Sequence, residues 1–270
     1  MIAAVERASI AITIGGMTVI VRVSDASFLS VLEKRYEGFT GAATTGDYEF
    51  DIDLVPMGKP VVADEDLSVR RDGGLWKLER GDFKAEWDPE SRKGRIQQSA
   101  NQYSLDCVLR IVHTLVLARQ EGFLLHASSA VRNGRAFMFS GVSGAGKTTM
   151  SRLAPADATL LTDEISYVRK EADGYVAYGT PFAGELAKVG ENVRAPLAAV
   201  YLLRQGRENC IDDIPKREAT RLLLRNILFF APQDPELVQH LFDFACKFVQ
   251  EVPVRRLTFL PDARVWELIR

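Results

Sequence analysis

Alternating hydrophobic and polar positions dominate the first hundred residues. Ile10, Ile12 and Ile14 precede Gly15-Gly16, and Val19, Val21 and Val23 follow it, which predicts a β-hairpin over residues 10–23. Asp25 stands ahead of Phe28, Leu29, Leu32 and Tyr36 and caps a predicted short helix, after which Tyr48, Phe50, Ile52 and Leu54 alternate again up to Pro56. Two more short strands are predicted over residues 75–78 and 83–87, the second ended by the turn Asp88-Pro89-Glu90-Ser91. The expected product is a mostly antiparallel β region, residues 1–103, that covers and orients the rest; no His or Cys occurs before Cys107.

The pattern changes at Ser104. Leu105, Val108, Leu109, Val112, Leu115 and Val116 form a helical stripe that stops before Gly122. Strand-like residues 123–131, the turn dipeptide Asn133-Gly134, strand-like residues 136–140 and a glycine-rich loop come next. Further strands are predicted near Leu160, Val176 and Val200. Two helices follow, one with Pro215 in its first turn and one opened by Asp234-Pro235, a cap residue before proline at the first helical position. Residues 104–270 thus read as an α/β (α+β) domain with a mixed sheet.

Composition narrows the function classes. With 47% hydrophobic and 26% charged residues over 270 positions, the chain is an ordinary globular protein, neither disordered nor fibrous. Lys plus Arg (34) nearly balances Asp plus Glu (36), so no bulk charge draws it to nucleic acid or an anionic membrane. Cys107, Cys210 and Cys246 are far apart and in no Cys-x-x-Cys pair, which argues against a disulfide framework or a zinc site and fits a reducing, cytoplasmic setting. No window reaches the ~18 apolar residues of a membrane span, and no basic segment precedes an apolar one at the N-terminus.

Chemistry enters at residues 141–148, Gly141-Val142-Ser143-Gly144-Ala145-Gly146-Lys147-Thr148, a full G-x-x-x-x-G-K-[S/T] match between a predicted strand and a predicted helix. Such a loop turns successive backbone N–H groups, here those of Ser143, Gly144, Ala145, Gly146, Lys147, Thr148 and Thr149, around the phosphates of a nucleoside triphosphate. Lys147 reaches the β- and γ-oxygens, and the Thr148 hydroxyl ligates Mg²⁺. ATP and Mg²⁺ are the expected cofactors. Asp163 and Glu164 end an apolar run sixteen and seventeen residues after Lys147, an interval that fits one helix and one return strand. ABC-type ATPases insert far more chain there and need a Leu-Ser-Gly-Gly signature, which is absent, whereas small kinases that activate a hydroxyl keep an acid this close.

Hairpin arithmetic adds a histidine. If Asn133-Gly134 form a two-residue turn, opposing residue numbers sum to 267, so Arg132 faces Arg135 and His126 faces Gly141 at the loop's root. His126 is therefore expected at the site, paired with Asp163 or Glu164, and the loop-bearing strand is expected to have an antiparallel neighbour. His113 and His240 fall in helical stretches and read as structural, and nothing in the spacing of Arg204, Arg207 and Arg225 singles one out.

Over about residues 123–168 the chain resembles the kinase domain of HPr kinase/phosphorylase, a fold related to phosphoenolpyruvate carboxykinase. Leu125-His126, the hairpin and Gly-x-Ser-Gly-x-Gly-Lys-Thr come in the family's order, and Asp163-Glu164 stands where the family carries an Asp-Asp pair. The resemblance implies that Asp163 is the general base on the acceptor hydroxyl and His126 its hydrogen-bond partner, with Lys147, Thr148 and Glu164 binding phosphate and metal. Val142 departs from the acid the family has after the first loop glycine, and residues 1–103 do not resemble its N-terminal domain. In place of the family's glycine-rich stretch stands Tyr178-Gly179-Thr180-Pro181-Phe182-Ala183-Gly184-Glu185, a predicted shaped loop in which Glu185 is a further metal or substrate contact.

The reading is an ATP-dependent kinase acting on a serine or other hydroxyl of a protein or peptide. A small-metabolite kinase and a nucleotide-binding partner protein without transfer chemistry are the alternatives. Homo-oligomerisation is left open.

Overall fold

A computed structural model describes residues 7–56, 67–184 and 189–270. The chain divides into two compact units, Met1–Val112 and His113–Arg270, with the boundary inside a helix.

The first unit carries β1 (Ala8–Ile14), β2 (Met17–Val23), α1 (Ala26–Arg35), β3 (Thr40–Gly41), β4 (Tyr48–Leu54), β5 (Ser68–Asp72), β6 (Leu75–Arg80), β7 (Phe83–Asp88) and β8 (Lys93–Gln98). The predicted first hairpin is present with Ile14 opposite Met17. Gly15 and Gly16 both take positive φ, 62° and 76°, the type I′ geometry that matches strand twist. Asp25 caps α1 as expected, its carboxylate accepting from Phe28 N at 2.7 Å. The sheet order is β3-β1-β2-β4-β8-β7-β6-β5. It is less antiparallel than the alternation suggests: β2 pairs with β4 in parallel, α1 carrying the chain back between them, and β4 pairs with β8 in parallel as well. Asp106 anchors α1 from within this unit, accepting from Tyr36 Oη at 2.6 Å and pairing with buried Arg35.

Helix α2 (Gln102–Leu117) follows the predicted stripe, and no helix among the described residues is long and apolar enough to cross a membrane. The second unit continues with β9 (Gly122–Arg132), β10 (Arg135–Ser140), α3 (Lys147–Arg152), β11 (Thr159–Thr162), β12 (Ile165–Glu171), β13 (Gly174–Tyr178), β14 (Arg194–Gln205), β15 (Cys210–Asp213), α4 (Lys216–Leu224), β16 (Ile227–Leu228), α5 (Pro235–Glu251), β17 (Val254–Phe259) and a 3₁₀ turn (Ala263–Glu267). The sheet runs β10-β9-β12-β13-β14-β17-β15, and a parallel pairing of β10 with β14 closes the strands from β9 to β14 into a ring. The fold is mixed α/β, with mixed sheets.

Alternation along β10 sends Ala136 and Met138 into one apolar cluster with Phe123, Leu202, Phe244 and Phe248, under α4 and α5. Phe137 and Phe139 point the other way, into a cluster with Met150 of α3, Tyr201, Phe259 and Trp266. The sheet is thereby filled on both faces.

His113 is structural, as its helical context predicts. It is fully buried, its Nδ1 lies 3.3 Å from the Tyr167 hydroxyl, and burial, reinforced by the charge of Arg169, lowers its pKa from 6.5 to about 3. The folded protein keeps it neutral while the unfolded chain takes a proton below its ordinary value. Its contribution to stability is therefore complete above that value and lost as the pH falls towards about 3, at about 1.4 kcal/mol per pH unit. Urea titrations should show the wild type losing about 2 kcal/mol more than His113→Gln between pH 6.5 and 5, and equal losses would remove His113 as the source.

Candidate active site

The antiparallel neighbour expected for the loop-bearing strand is β9. Arg132 opposes Arg135 and the register runs unbroken to Ala127 opposite Ser140, which puts Gly141 next to His126 as the turn arithmetic requires. Beyond Ser140 the chain leaves the sheet and curls. Gly144 and Gly146 take positive φ (76° and 110°), and a Cβ on Gly146 would come within 2.5 Å of the Phe259 ring. The loop is braced from β14, where Gln205 Nε2 donates to the Gly144 carbonyl at 2.7 Å, and from inside, where Ala145 N donates to the Val142 carbonyl at 3.1 Å. Lys147 is mostly buried, and its ammonium donates to the carbonyls of Gly141 (3.0 Å) and Val142 (3.2 Å), crossing the loop's mouth. Thr148 and Thr149 occupy the first turn of α3, and Ser143 is exposed on the loop.

The acid pair arrives by a feature the sequence did not separate. Strands β11 and β12 lie end to end against β9: Thr162 opposes Ser129, Ile165 opposes His126, and Ala127 N donates to the Glu164 carbonyl at 2.9 Å. Asp163 and Glu164 are the link between them. Their backbone therefore flanks β9 on the edge opposite β10, about 10 Å, two strand spacings, from the loop's root. Ser128, between the two, donates its hydroxyl to the Lys147 carbonyl at 3.1 Å and so ties the first turn of α3 to the same strand. Thr162 Oγ1 accepts from the N–H groups of Glu164 (3.3 Å) and Ile165 (3.2 Å), holding the two-residue link in shape.

The predicted shaped loop is there as far as residue 184; Glu185 lies outside the described residues. Thr180 N donates to the Leu161 carbonyl at 3.0 Å and Thr180 Oγ1 to the Ile165 carbonyl at 2.9 Å, so the segment is laid along the acid-bearing strand. It delivers Gly184, whose N–H donates to Asp163 Oδ1 at 2.8 Å. A Cβ on Gly184 would stand 2.8 Å from Glu164 Cβ, 3.1 Å from Glu164 Oε2 and 3.2 Å from Asp163 Oδ2. Both carboxylates thus converge on one backbone position that only glycine leaves clear.

One expectation needs correcting. The His126 ring makes no hydrogen bond to Asp163 or Glu164; the Asp163 carboxylate turns to Gly184, a residue far along the chain. The ring is half-buried, and burial together with the nearby Lys147 ammonium lowers its pKa, so it is neutral at pH 7. Its backbone is pinned on both sides, N–H to the Asn226 carbonyl at 2.7 Å and carbonyl to the Ser140 hydroxyl at 3.0 Å. Gly184, Ser128, Thr162 and Asn226 escaped the sequence reading. Only the glycine-proline texture of residues 178–184 signalled any of them.

The donors suit a hard cation. Thr148 offers a hydroxyl and Glu164 a carboxylate, all oxygen, and no group of three or more His, Cys, Asp or Glu that could hold a metal occurs among the described residues. Magnesium is usually held by one or two carboxylates plus substrate phosphates rather than by an all-protein cage, so the set fits it. Residues 95–270 match the model of a family described as SynChlorMet cassette protein ScmC. No curated protein matches the chain.

Proposed function

We propose that this chain, which belongs to the SynChlorMet cassette protein ScmC family, is an ATP-dependent phosphotransferase of the HPr kinase type that acts on a hydroxyl of a protein or peptide. The observation that carries the reading is the placement of the acid pair across β9 from the root of the loop, with Ser128 tying Lys147 to the same strand. A loop alone binds nucleotide. A loop with a fixed carboxylate two strands away also offers a base to a second substrate.

In this reading the backbone N–H groups of residues 143–149 bind the phosphates and Lys147 neutralises charge at the β- and γ-oxygens. Thr148 and Glu164 would hold Mg²⁺, which supplies charge neutralisation on the phosphates when bound. Asp163 accepts the proton of the acceptor hydroxyl, and the Gly184 N–H fixes the direction in which it does so. Neutral His126 acts beside Lys147 as a hydrogen-bonding group towards the substrates.

Incubation with γ-labelled ATP and a lysate of the source cell, followed by separation of macromolecules from small molecules, tests the proposal. Label is expected on protein or peptide. Label on small molecules alone would make the chain a metabolite kinase, and nucleotide binding without any label would leave a binding protein.

The glycine over the acids makes a sharper test. Gly184→Ala forces the link that carries Asp163 and Glu164 to shift by several tenths of an ångström, and mispositioning of reacting groups costs on the order of 10²-fold. Single-turnover transfer should fall by about that factor, with Mg-ATP affinity changed no more than a few-fold. An unaltered rate would show that the carboxylates do not need this backbone.

A further inference from the structure

A cleft of about 350 Å³ opens beside the phosphate loop, at the low end of the roughly 300 to 1,000 Å³ of ligand pockets. It lies over the carboxyl ends of the parallel strands β10 and β14. The chain leaves these two neighbours on opposite faces of the sheet. From β10 it runs through the loop to α3, whose Met150 joins Phe139 in one apolar cluster; from β14 it runs by way of β15 to α4, whose Ala219 and Leu223 join Met138 in the other. Parallel strands whose connections part in this way leave a crevice at their carboxyl ends, and α/β sheets bind their ligands there.

The acid pair fixes which end of a nucleotide faces this crevice. Asp163 and Glu164 flank β9 on the edge away from β10. A triphosphate seated in the loop with its metal-bearing end towards Glu164 therefore has its nucleoside end on the other side of β10, towards β14. The cleft begins where the loop begins, with Gly141 and Val142. Leu202 and Leu203 of β14 make it apolar, and Leu222 in the last turn of α4 and Asn226 just after that helix close it.

Asn226 gives the cleft its polarity. Its Nδ2 donates to the Leu222 carbonyl at 2.8 Å, and its backbone carbonyl accepts from His126 N at 2.7 Å, so the residue is held at both ends. With the amide nitrogen spent, what it has left to offer a ligand is Oδ1, an acceptor that no donor among the described residues reaches. Turning the amide over would set two oxygens against each other at Leu222. Arg204 lines the cleft from its exposed side and makes no hydrogen bond or ion pair among the described residues; a guanidinium so placed packs flat on aromatic rings.

We infer that this cleft is the nucleoside subsite and that it selects adenine. The purine lies on Leu202, Leu203 and Leu222, its 6-amino group donates to Asn226 Oδ1, and the guanidinium of Arg204 covers its open face. The inference rests on reading the loop as a nucleotide site and goes beyond it by naming the base and the residue that chooses it. Guanine and hypoxanthine carry an oxygen where adenine carries that amine, and the oxygen would meet Oδ1 lone pair to lone pair.

The probes are Mg-ATP, Mg-ITP and Mg-tripolyphosphate, which keeps the phosphates and has no nucleoside; binding to the full chain is read by calorimetry. ATP should bind about tenfold or more tightly than ITP. Asn226→Ala should bring the two within about twofold of each other. Leu222→Trp, which fills the cleft, should weaken ATP about tenfold or more and hold tripolyphosphate within about twofold of the wild type. Equal affinity of the wild type for ATP and ITP, or an unchanged ATP/ITP ratio in Asn226→Ala, would overturn the subsite and leave the loop as a phosphate site. So would an undiminished ATP affinity in Leu222→Trp, or a loss of tripolyphosphate as large as that of ATP. If the wild type binds neither ATP nor tripolyphosphate, the loop reading falls and the subsite falls with it.

Discussion

Asp163→Asn should cut single-turnover phosphoryl transfer by about 10²- to 10⁴-fold and leave Mg-ATP affinity within a few-fold. An alcohol is a poor nucleophile at pH 7, and a positioned carboxylate that accepts its proton supplies a factor of that order; asparagine keeps the shape and cannot take the proton. Binding does not need the base. The oxygen that accepts from Gly184 N–H at 2.8 Å can be kept by the amide, so the link between β11 and β12 should hold. His126→Ala should lose less. No hydrogen bond joins the ring to the acid, so the two losses are expected to multiply in the double variant, unlike those of groups that act as one unit. An unchanged rate in Asp163→Asn would remove the proposed base altogether.

Lys147→Ala should abolish the thermal stabilisation that Mg-ATP gives the wild type. At a hundredfold excess over Kd a ligand stabilises by about 2.7 kcal/mol, which for a chain of this size is a shift of several degrees. Removing the ammonium takes away the fixed positive charge at the loop's mouth. It also removes its bonds to the Gly141 and Val142 carbonyls, so each variant is compared with its own nucleotide-free melting temperature. A shift as large as that of the wild type would mean that nucleotide binds elsewhere.

Where local rules decide, the sequence is a good guide. The turn Asn133-Gly134 sets the register of β9 and β10, and with it the neighbourhood of His126 and Gly141; both turn residues take positive φ, 51° and 71°, as that turn requires. Gly15-Gly16, the Asp25 cap and the Asp234-Pro235 helix start are local in the same sense. Partners that are distant in sequence leave no such trace. Alternation in β2 and β4 tells which face is buried and is silent on direction, so their parallel pairing could not be read. The sequence ends an apolar run at Asp163-Glu164, and only the pairing shows that a second strand resumes beyond the acids against the other half of β9. The expected pairing of His126 with an acid fails for the same reason. The Asp163 carboxylate is taken by a backbone N–H, a donor every residue but proline carries, and no residue type advertises it.

The parallel seam between β10 and β14 bears on biosynthesis. A nascent chain that has left the ribosome as far as the acids already holds His126, the whole loop motif and Asp163-Glu164. It still lacks the strand that pairs with Phe139 and Ser140 and the Gln205 amide that steadies Gly144. Pairings between segments so far apart close late in folding. Until residues 194–205 are made, β10 is an unpaired edge made of Ala136, Phe137, Met138 and Phe139, the kind of edge that recruits other chains. Translation that stops before β14 should therefore yield a chain that carries the motif and aggregates.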